Sequence, residues 1–324
     1  MCNEKNVKEK VGDDMKVAVM GAGGVGAYFG GRLAKGGIPV SFIARGEHLK
    51  AMNENGLKIN SIHGDFEIQV EATDDPNDIG TVDLVLFTVK AHDTEEAGKQ
   101  ISPLVGENTA ILSLQNGIDN EKILSRIHGR ERVVGGVAYI LSRVVEPGVI
   151  SHESLGRIEI GEMDGETTKR LREIKEVFEN SGVRCDILTN IKKVLWRKLS
   201  FNCALNAMTA ITRSPLDEIV EVEESSDIFE SAIREAIEVG IAEGVDMDED
   251  EIVRALMEVT EEAGSIGSSM LHDLRREKRL EIDPINGKIV KLGRKHDIWT
   301  PINRTLYGCL KVINQNLSGQ NLKN

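Results

Sequence analysis

The chain has 324 residues, a length that predicts two ordinary domains, or one large domain, with a sizeable hydrophobic core. It is 40% hydrophobic and 29% charged with only 7 prolines, which excludes disorder over most of its length. No run of about 18 uncharged apolar residues occurs and the first 14 residues are polar, so we expect neither a membrane span nor a secretory signal. The formal net charge of −13 argues against a nucleic-acid partner.

The negative charge is concentrated in one stretch of the chain. Residues 217–262 contain 18 acidic and two basic side chains, which is typical of a solvated outer face of helices. The remainder of the chain is therefore slightly basic, and its cationic groups are available to bind a small anion. The four cysteines, Cys2, Cys185, Cys203 and Cys309, fit no disulfide or zinc spacing. We therefore expect a reduced, cytoplasmic protein without a metal.

Strand and helix patterns alternate over the first half of the chain. Residues 1–14 show no hydrophobic periodicity and are predicted to be a disordered leader. A helix is predicted to follow the first strand and to end at Lys35 before Gly36 and Gly37. Uncharged apolar runs such as 85–87 favour a parallel sheet that is buried on both faces. Strands are predicted at 17–20, 39–44, 66–70, 82–89, 110–114 and 133–140.

The pattern changes after residue 148. Short alternating strands are predicted over 148–162, then a helix over 167–180 and a strand over 184–188. Almost everything beyond residue 190 has helical periodicity, with helices predicted at 191–211, in the acidic stretch, at 268–279 and at 285–295. We therefore predict an α/β domain over 15–189 and an all-helical domain over 190–324.

A glycine-rich turn follows the first strand directly and opens a helix. In this GxGxxG pattern the first glycine permits a tight turn, the second lets backbone approach a pyrophosphate, and the third lets helix and strand pack closely. The pattern is weak alone, but this context predicts a Rossmann-type, doubly wound sheet that binds a dinucleotide. The predicted cofactor-binding residues of the turn are Gly21, Ala22, Gly23, Gly24, Val25 and Gly26.

Three further polar positions follow predicted strands, where ligands of open α/β sheets bind. Arg45 follows the second strand in place of the acidic residue that reads the ribose of NAD, so NADP(H) is favoured over NAD(H); an exposed loop arginine is the alternative. Lys90 ends the run that begins at Val85 and either faces cofactor or substrate or only ends a strand in solvent. Asn116 follows the strand that begins at Ala110, and the pair Asn116-Gly117 is equally typical of a simple turn.

A stripe of polar side chains runs along the otherwise apolar helix predicted at 191–211. At 100° per residue, Lys198, Asn202, Asn206 and Thr209 fall within 80° of one another. Buried lysine and amide groups need partners, because an unpaired buried charge is costly. The stripe is therefore either a satisfied internal network or the lining of a site for a polar substrate.

Two later segments contain polar residues that suit the same site. Ser268 and Ser269 precede a helix, where N-capping is their simpler role. Glu281 lies just before a predicted helix start, where an acidic residue also has a favourable interaction with the helix dipole.

Together these motifs resemble the ketopantoate reductases (2-dehydropantoate 2-reductases), from about Met15 to near the C-terminus. The motifs around Lys198 and Glu281 are specific to that family, whereas the glycine turn is not. The resemblance rests, in chain order, on residues 21–26, 115–117, 195–199 with Asn202 and Asn206, 268–273 and 281–287.

The resemblance implies NADPH-dependent reduction of 2-dehydropantoate to (R)-pantoate, a step toward pantothenate and coenzyme A. It implies Lys198 as the catalytic lysine, which burial would make a good general acid, and Glu281 as the catalytic-site glutamate that holds its proton. It further implies that Arg45, Lys90 and Asn116 contact the cofactor. Substrate contacts are implied for Asn116, Asn202, Asn206 and Ser269.

The sequence leaves two alternative functions and the oligomeric state open. Ile266, Leu216 and Asp93 depart from amide residues found in some members of the family, so a related reductase of another small 2-keto or 3-hydroxy acid is the first alternative. A non-catalytic NADP(H)-sensing protein is the second. Apolar surface in the C-terminal half makes a homodimer a reasonable expectation.

Overall fold

The computed structural model describes residues 15–320, apart from the side chains of 261–262 and 318–320. The predicted leader over 1–14 lies outside the described residues. The described chain forms two compact units. The first comprises the described residues up to Val89 together with Thr94–Gln115 and Glu121–Ile191, and the second comprises Lys90–Asp93, Asn116–Asn120 and the chain from Lys192 onward.

The first unit is built on a mixed ten-stranded sheet, and the α/β expectation is confirmed. Nine strands lie in the order β4-β3-β9-β8-β7-β6-β1-β2-β5, and β10 pairs with β9. The strands are β1 (Val17–Met20), β2 (Val40–Ile43), β3 (Leu57–Ser61), β4 (Phe66–Ile68), β5 (Glu71–Thr73), β6 (Val82–Phe87), β7 (Val105–Ser113), β8 (Val133–Glu146), β9 (Val149–Glu162) and β10 (Cys185–Ile187). The helices introduced with them are α1 (Gly24–Lys35), α2 (Gly46–Asn55), α3 (Thr94–Gln100), α4 (Asn120–His128) and α5 (Lys169–Asn180).

Strand β1 lies between β2 and β6 and is parallel to both. All four of its side chains are buried, as expected for a strand covered on both faces. The strand order reverses at β1, because β2 lies on one side and β6 on the other. In open α/β sheets such a reversal leaves a crevice at the carboxyl ends of the strands, where ligands bind. The glycine turn follows β1 at this point.

Strands β3 and β5 were not predicted, and the antiparallel part of the sheet also differs from the sequence prediction. Residues 149–162 form the single strand β9 rather than several short ones, and β9 pairs antiparallel with β8. The β3–β4 pair is also antiparallel. The register of β8 and β9 shifts at three places, which breaks the regular alternation from which strand length was predicted. Pairing between the two strands of this hairpin, rather than the periodicity of either strand alone, therefore decided this part of the sheet.

The second unit is helical in its described residues, as predicted for the C-terminal half. Its longest helix, α6, contains the polar stripe, and α10 ends at Arg275, four residues before the predicted end. No helix in the described chain is both long and apolar enough to cross a membrane. The helices are α6 (Ile191–Thr212), α7 (Leu216–Val220), α8 (Glu223–Ala242), α9 (Glu249–Ala263), α10 (Ser269–Arg275), α11 (Asn286–Lys295) and α12 (Pro301–Gln320).

Candidate active site

The glycine turn of the first unit is held in a conformation that side chains would obstruct. Gly21 has φ +97°, which L-residues rarely adopt. A Cβ at Gly26 would lie 2.3 Å from Thr88 Oγ1 and 2.4 Å from the Gly21 carbonyl oxygen. A Cβ at Gly23 would meet no atom within 4 Å. Gly26 therefore serves close packing of α1 on the sheet, whereas the space beside Gly23 is open.

The start of α1 suits a phosphate group. Gly23 is its N-cap and supplies no side-chain hydrogen bond to the first turn, which contains no acidic residue. The first N–H groups of a helix lack intrahelical acceptors, and the dipole favours a negative charge there. Open space above an uncapped helix start is what a pyrophosphate requires, so the turn fits a dinucleotide. Arg45 is exposed at the end of β2, where it is the N-cap of α2.

The second unit contains a cluster of charged side chains centred on Glu281. Lys90 Nζ lies 2.7 Å from Asp273 Oδ2 and 2.9 Å from Glu281 Oε2. The other carboxylate oxygen of Glu281 accepts a hydrogen bond from the Ala91 N–H at 2.8 Å. Burial alone lowers the pKa of Lys90, but Glu281 and Asp273 outweigh it and hold that pKa above its ordinary value. Lys90 therefore stays protonated across the physiological range.

Lys198, on α6, has a perturbed protonation equilibrium in the same cluster. Burial lowers the pKa of its amine from 10.5 to about 8, because the ammonium ion loses hydration, and the Glu281 carboxylate opposes this change. Glu281 is itself only 5% exposed, so water screens its charge weakly. A lysine with a pKa near 8 is charged at neutral pH and still gives up its proton readily, as a general acid requires.

The predicted substrate residues differ in how the structure places them. Asn202 Nδ2 lies 3.5 Å from Asn116 Oδ1, at the long limit of a hydrogen bond, and both side chains are partly exposed. Asn206 is buried on the same helix. Ser269 is exposed at the first position of α10. The structure thus brings Asn116 and Asn202 together at a partly exposed place.

The far end of the polar stripe is a structural network. Thr209 Oγ1 donates to the Leu205 carbonyl at 2.6 Å and shares a hydrogen bond of 2.6 Å with Ser268 Oγ. Ser268 also caps α10, because its Oγ accepts from the Leu271 N–H at 3.0 Å. The capping role is therefore the correct one for Ser268, and the stripe changes from partly exposed at Lys198 to internally satisfied at Thr209.

Two residues of this region were not singled out from the sequence. Asp273 lies in the motif 268–273 but had no assigned role, and its ion pair with Lys90 joins positions 183 residues apart, which no spacing rule reaches. Asn286 is fully buried, and its Nδ2 donates to the Cys203 carbonyl of α6 at 2.9 Å and to Asn303 Oδ1 at 3.0 Å. It ties α6 to α11 and α12. The sequence prediction placed Asn286 in a helix but gave no sign of these partners, which lie 83 and 17 residues away in sequence.

The chain matches known proteins over most of its length. The family model described as ketopantoate reductase PanE/ApbA matches residues 17–165, and its C-terminal counterpart matches residues 190–314. A 2-dehydropantoate 2-reductase of Archaeoglobus fulgidus is 33% identical over 93% of this chain and 99% of its own length.

Solved structures give the same result. A PanE/ApbA family ketopantoate reductase of Ralstonia eutropha JMP134 superposes with a TM-score of 0.87 at 35% identity, covering 94% of this chain and all of the other. A D-mandelate dehydrogenase solved with NADH and anilino(oxo)acetate has a TM-score of 0.88 at 25% identity, with the same two coverages.

The fold, the turn and these relatives define an oxidoreductase that uses a nicotinamide cofactor. Within that class, the match of both family models over most of the sequence places the chain in the ketopantoate reductase family. The predicted family is confirmed.

Proposed function

We propose that this protein reduces 2-dehydropantoate to (R)-pantoate with NADPH, a step toward pantothenate and coenzyme A. The observation that carries the proposal is Lys198, whose pKa lies near 8 beside the buried Glu281 carboxylate. This lysine is the kind of group that keto reduction needs, since the reaction builds negative charge on oxygen and consumes a proton. Relatives across archaea and bacteria are named for the same reaction.

Lys198 acts in this proposal as the proton donor. The nicotinamide cofactor, when bound, supplies a hydride to the keto carbon. As the C=O double bond becomes a C–O single bond, the Lys198 ammonium stabilises the developing alkoxide and then transfers its proton to that oxygen. The neutral amine recovers a proton from solvent, which a pKa near 8 favours at neutral pH. Glu281 keeps the protonated form populated.

Amide groups are suited to hold the substrate without adding charge. Asn202 and Asn206, one turn apart on α6, are proposed to bind its hydroxyl and carbonyl oxygens. Asn116, 3.5 Å from Asn202, and the exposed Ser269 are proposed to bind its carboxylate. Each amide offers both a donor and an acceptor, which matches a ligand that presents hydroxyl and carbonyl groups together.

NADPH preference is proposed to come from Arg45. Its side chain is exposed after β2, in the position where an acidic residue would bind the ribose of NAD. Glycines of the turn and the first N–H groups of α1 are proposed to bind the pyrophosphate. Lys90 and Asn116 stay predicted cofactor contacts. A homodimer and a cytoplasmic location also stay predictions.

The decisive assay is NADPH oxidation with 2-dehydropantoate, run in parallel with 2-oxoisovalerate, which lacks the hydroxymethyl group. We expect kcat/KM to be at least about tenfold higher for 2-dehydropantoate, since unmet hydrogen-bonding groups in a site disfavour the truncated ligand. Equal values would favour a reductase of another small 2-keto acid. A failure to oxidise NADPH with any 2-keto acid would favour a cofactor-sensing protein.

A second candidate substrate class is suggested by the D-mandelate dehydrogenase structures. Their high TM-scores, 0.88 and 0.86, and their bound NADH show that a relative of this fold is a dehydrogenase of an aromatic 2-hydroxy acid. We therefore include phenylglyoxylate, the 2-keto acid that corresponds to mandelate, and NADH in the same assay. A higher kcat/KM for phenylglyoxylate with NADH would replace the proposed substrate and cofactor.

A further inference from the structure

The cluster around Glu281 consists of four charged side chains from four separate segments of the second unit. Lys90 follows β6 in sequence, Lys198 lies on α6, Asp273 lies on α10, and Glu281 precedes α11. Lys90 pairs with both carboxylates and Lys198 interacts with Glu281, so the two cations and two anions give the cluster a formal charge of zero. Balanced clusters tolerate burial, whereas an excess charge in a poorly solvated place is costly.

Lys90 divides its ion pairing between the two carboxylates. Its Nζ lies 2.7 Å from Asp273 Oδ2 and 2.9 Å from Glu281 Oε2, so its contact with Asp273 is at least as close as its contact with Glu281. The carboxylate side chains of Asp273 and Glu281 are 16% and 6% exposed, so solvent screens either charge weakly. Glu281 is in turn the carboxylate that interacts with Lys198.

We propose that Asp273 is a positioning residue: it neutralises Lys90, so that the negative charge of Glu281 remains available to hold the proton on Lys198. The inference deepens the proposed function, in which Lys198 is the proton donor. Without the Asp273 carboxylate, Lys90 would pair with Glu281 alone and the cluster would carry one excess positive charge. The ammonium form of Lys198 would then be less stable, and its pKa would fall.

Two other charged groups near these segments form ion pairs outside the cluster. Lys288 pairs with Asp119 at 2.7 Å, and Asp283 pairs with Lys311 at 2.9 Å. Asp283 is therefore a matched control. It lies two residues from Glu281 in sequence, but its carboxylate pairs with Lys311 and not with Lys90. The remaining titratable groups within three residues of these four in sequence are His92, Asp93, Arg197, His272, Arg275, Arg276, Lys278 and Arg279.

A titration of Lys198 tests the inference without any substrate or cofactor. The full-length protein labelled with ¹³C-lysine is titrated by NMR, with the Lys198 signal assigned by its loss in Lys198→Arg. We expect Asp273→Asn to lower the pKa of Lys198 by roughly half a unit or more. Asp273→Glu, which restores the charge, and the control Asp283→Asn are both expected to titrate like the unmodified protein.

An unchanged Lys198 titration in Asp273→Asn would overturn the inference, as would equal shifts in Asp273→Asn and Asp283→Asn. If Asp273→Asn does not fold, Asp273→Ser removes the same charge with a smaller side chain and is read in the same way. A structural role alone predicts lower melting temperatures for the neutral variants with no movement of the titration.

Steady-state kinetics test the role of Asp273 independently of the NMR titration. The alkaline limb of the pH profile of kcat/KM should move to lower pH in Asp273→Asn by the same amount as the NMR titration. If the unmodified protein reduces no 2-keto acid, the proposed function fails, and the NMR titration still decides the role of Asp273. If the protein is active but its alkaline limb is the same with and without the Asp273 charge, only the inference about Asp273 fails.

Discussion

Replacing Lys198 with methionine should remove activity and change the pH dependence of stability. Methionine has a similar length and does not titrate. The difference in unfolding free energy between Lys198→Met and the unmodified protein therefore reports the contribution of the amine. Burial lowers the pKa of Lys198 from 10.5 to about 8, and each pKa unit corresponds to about 1.4 kcal/mol. Keeping the ammonium in the folded state at pH 7 therefore costs about 3 kcal/mol relative to the unfolded chain.

The sign follows from the two pKa values. Between pH 8 and 10.5 the unfolded chain binds more protons at this residue than the folded protein, so the unmodified protein gains stability as the pH rises through this window. The unfolding free energy of Lys198→Met should thus exceed that of the unmodified protein by the largest margin at pH 7. This margin should be smaller by about 2 kcal/mol at pH 10. kcat should fall by about 10²–10⁴-fold, the usual loss for a missing general acid.

Urea unfolding at pH 7 and pH 10, with kcat measured on the same preparations, checks both parts. Lys192→Met removes an exposed lysine from the same helix and serves as the control, for which we expect normal kcat and no comparable pH effect. The reasoning would be refuted if Lys198→Met were less stable by a margin that does not depend on pH. That result would identify Lys198 as a member of a satisfied internal network. Near-normal kcat would remove it from the mechanism.

Four further predictions concern the cofactor, the packing of α1 and the substrate. Arg45→Ala should lose roughly ten- to a hundredfold in preference for NADPH with little change in kcat, and equal KM values for NADPH and NADH in the unmodified protein would contradict this. Gly26→Ala should lower the unfolding free energy by about 1–3 kcal/mol, because its Cβ would collide with Thr88. Gly23→Ala should keep the melting temperature but raise the Kd of NADPH, and a normal Kd would argue against a pyrophosphate at that glycine. Asn202→Ala should raise the KM for the keto acid more than it lowers kcat, which steady-state kinetics with saturating NADPH would measure; a change in kcat alone would place Asn202 outside substrate binding.

Local patterns were sufficient where the structure depends on neighbouring residues. The four-residue apolar run of β1 and the glycines after it predicted a strand, a tight turn and a helix, and β1 and α1 have those bounds. The family, too, was recognised from short motifs in the right order. The helix that carries Lys198 was predicted to within one residue of α6, because a long helix repeats its pattern over many turns.

The pairing of distant strands was beyond local patterns. Helix α2 and strands β3 and β5 were not predicted, and β9 was divided into short strands. Each of these strands is stabilised by partners far along the chain, as in the parallel pair of β3 with β9. Short strands have too few residues for periodicity to distinguish them from loops, so their existence depends on the neighbour that completes their hydrogen bonds.

The sequence by itself determined the class of fold and the family, and it named the candidate catalytic groups, because side-chain type and short-range spacing encode these properties. Only the tertiary structure decided the electrostatic state of those groups. Lys90 was predicted from the end of a strand, yet its protonation depends on Asp273 and Glu281, which lie more than 180 residues away in sequence. The pKa of Lys198 likewise depends on burial and on Glu281, and both arise only when separate segments of the chain pack together.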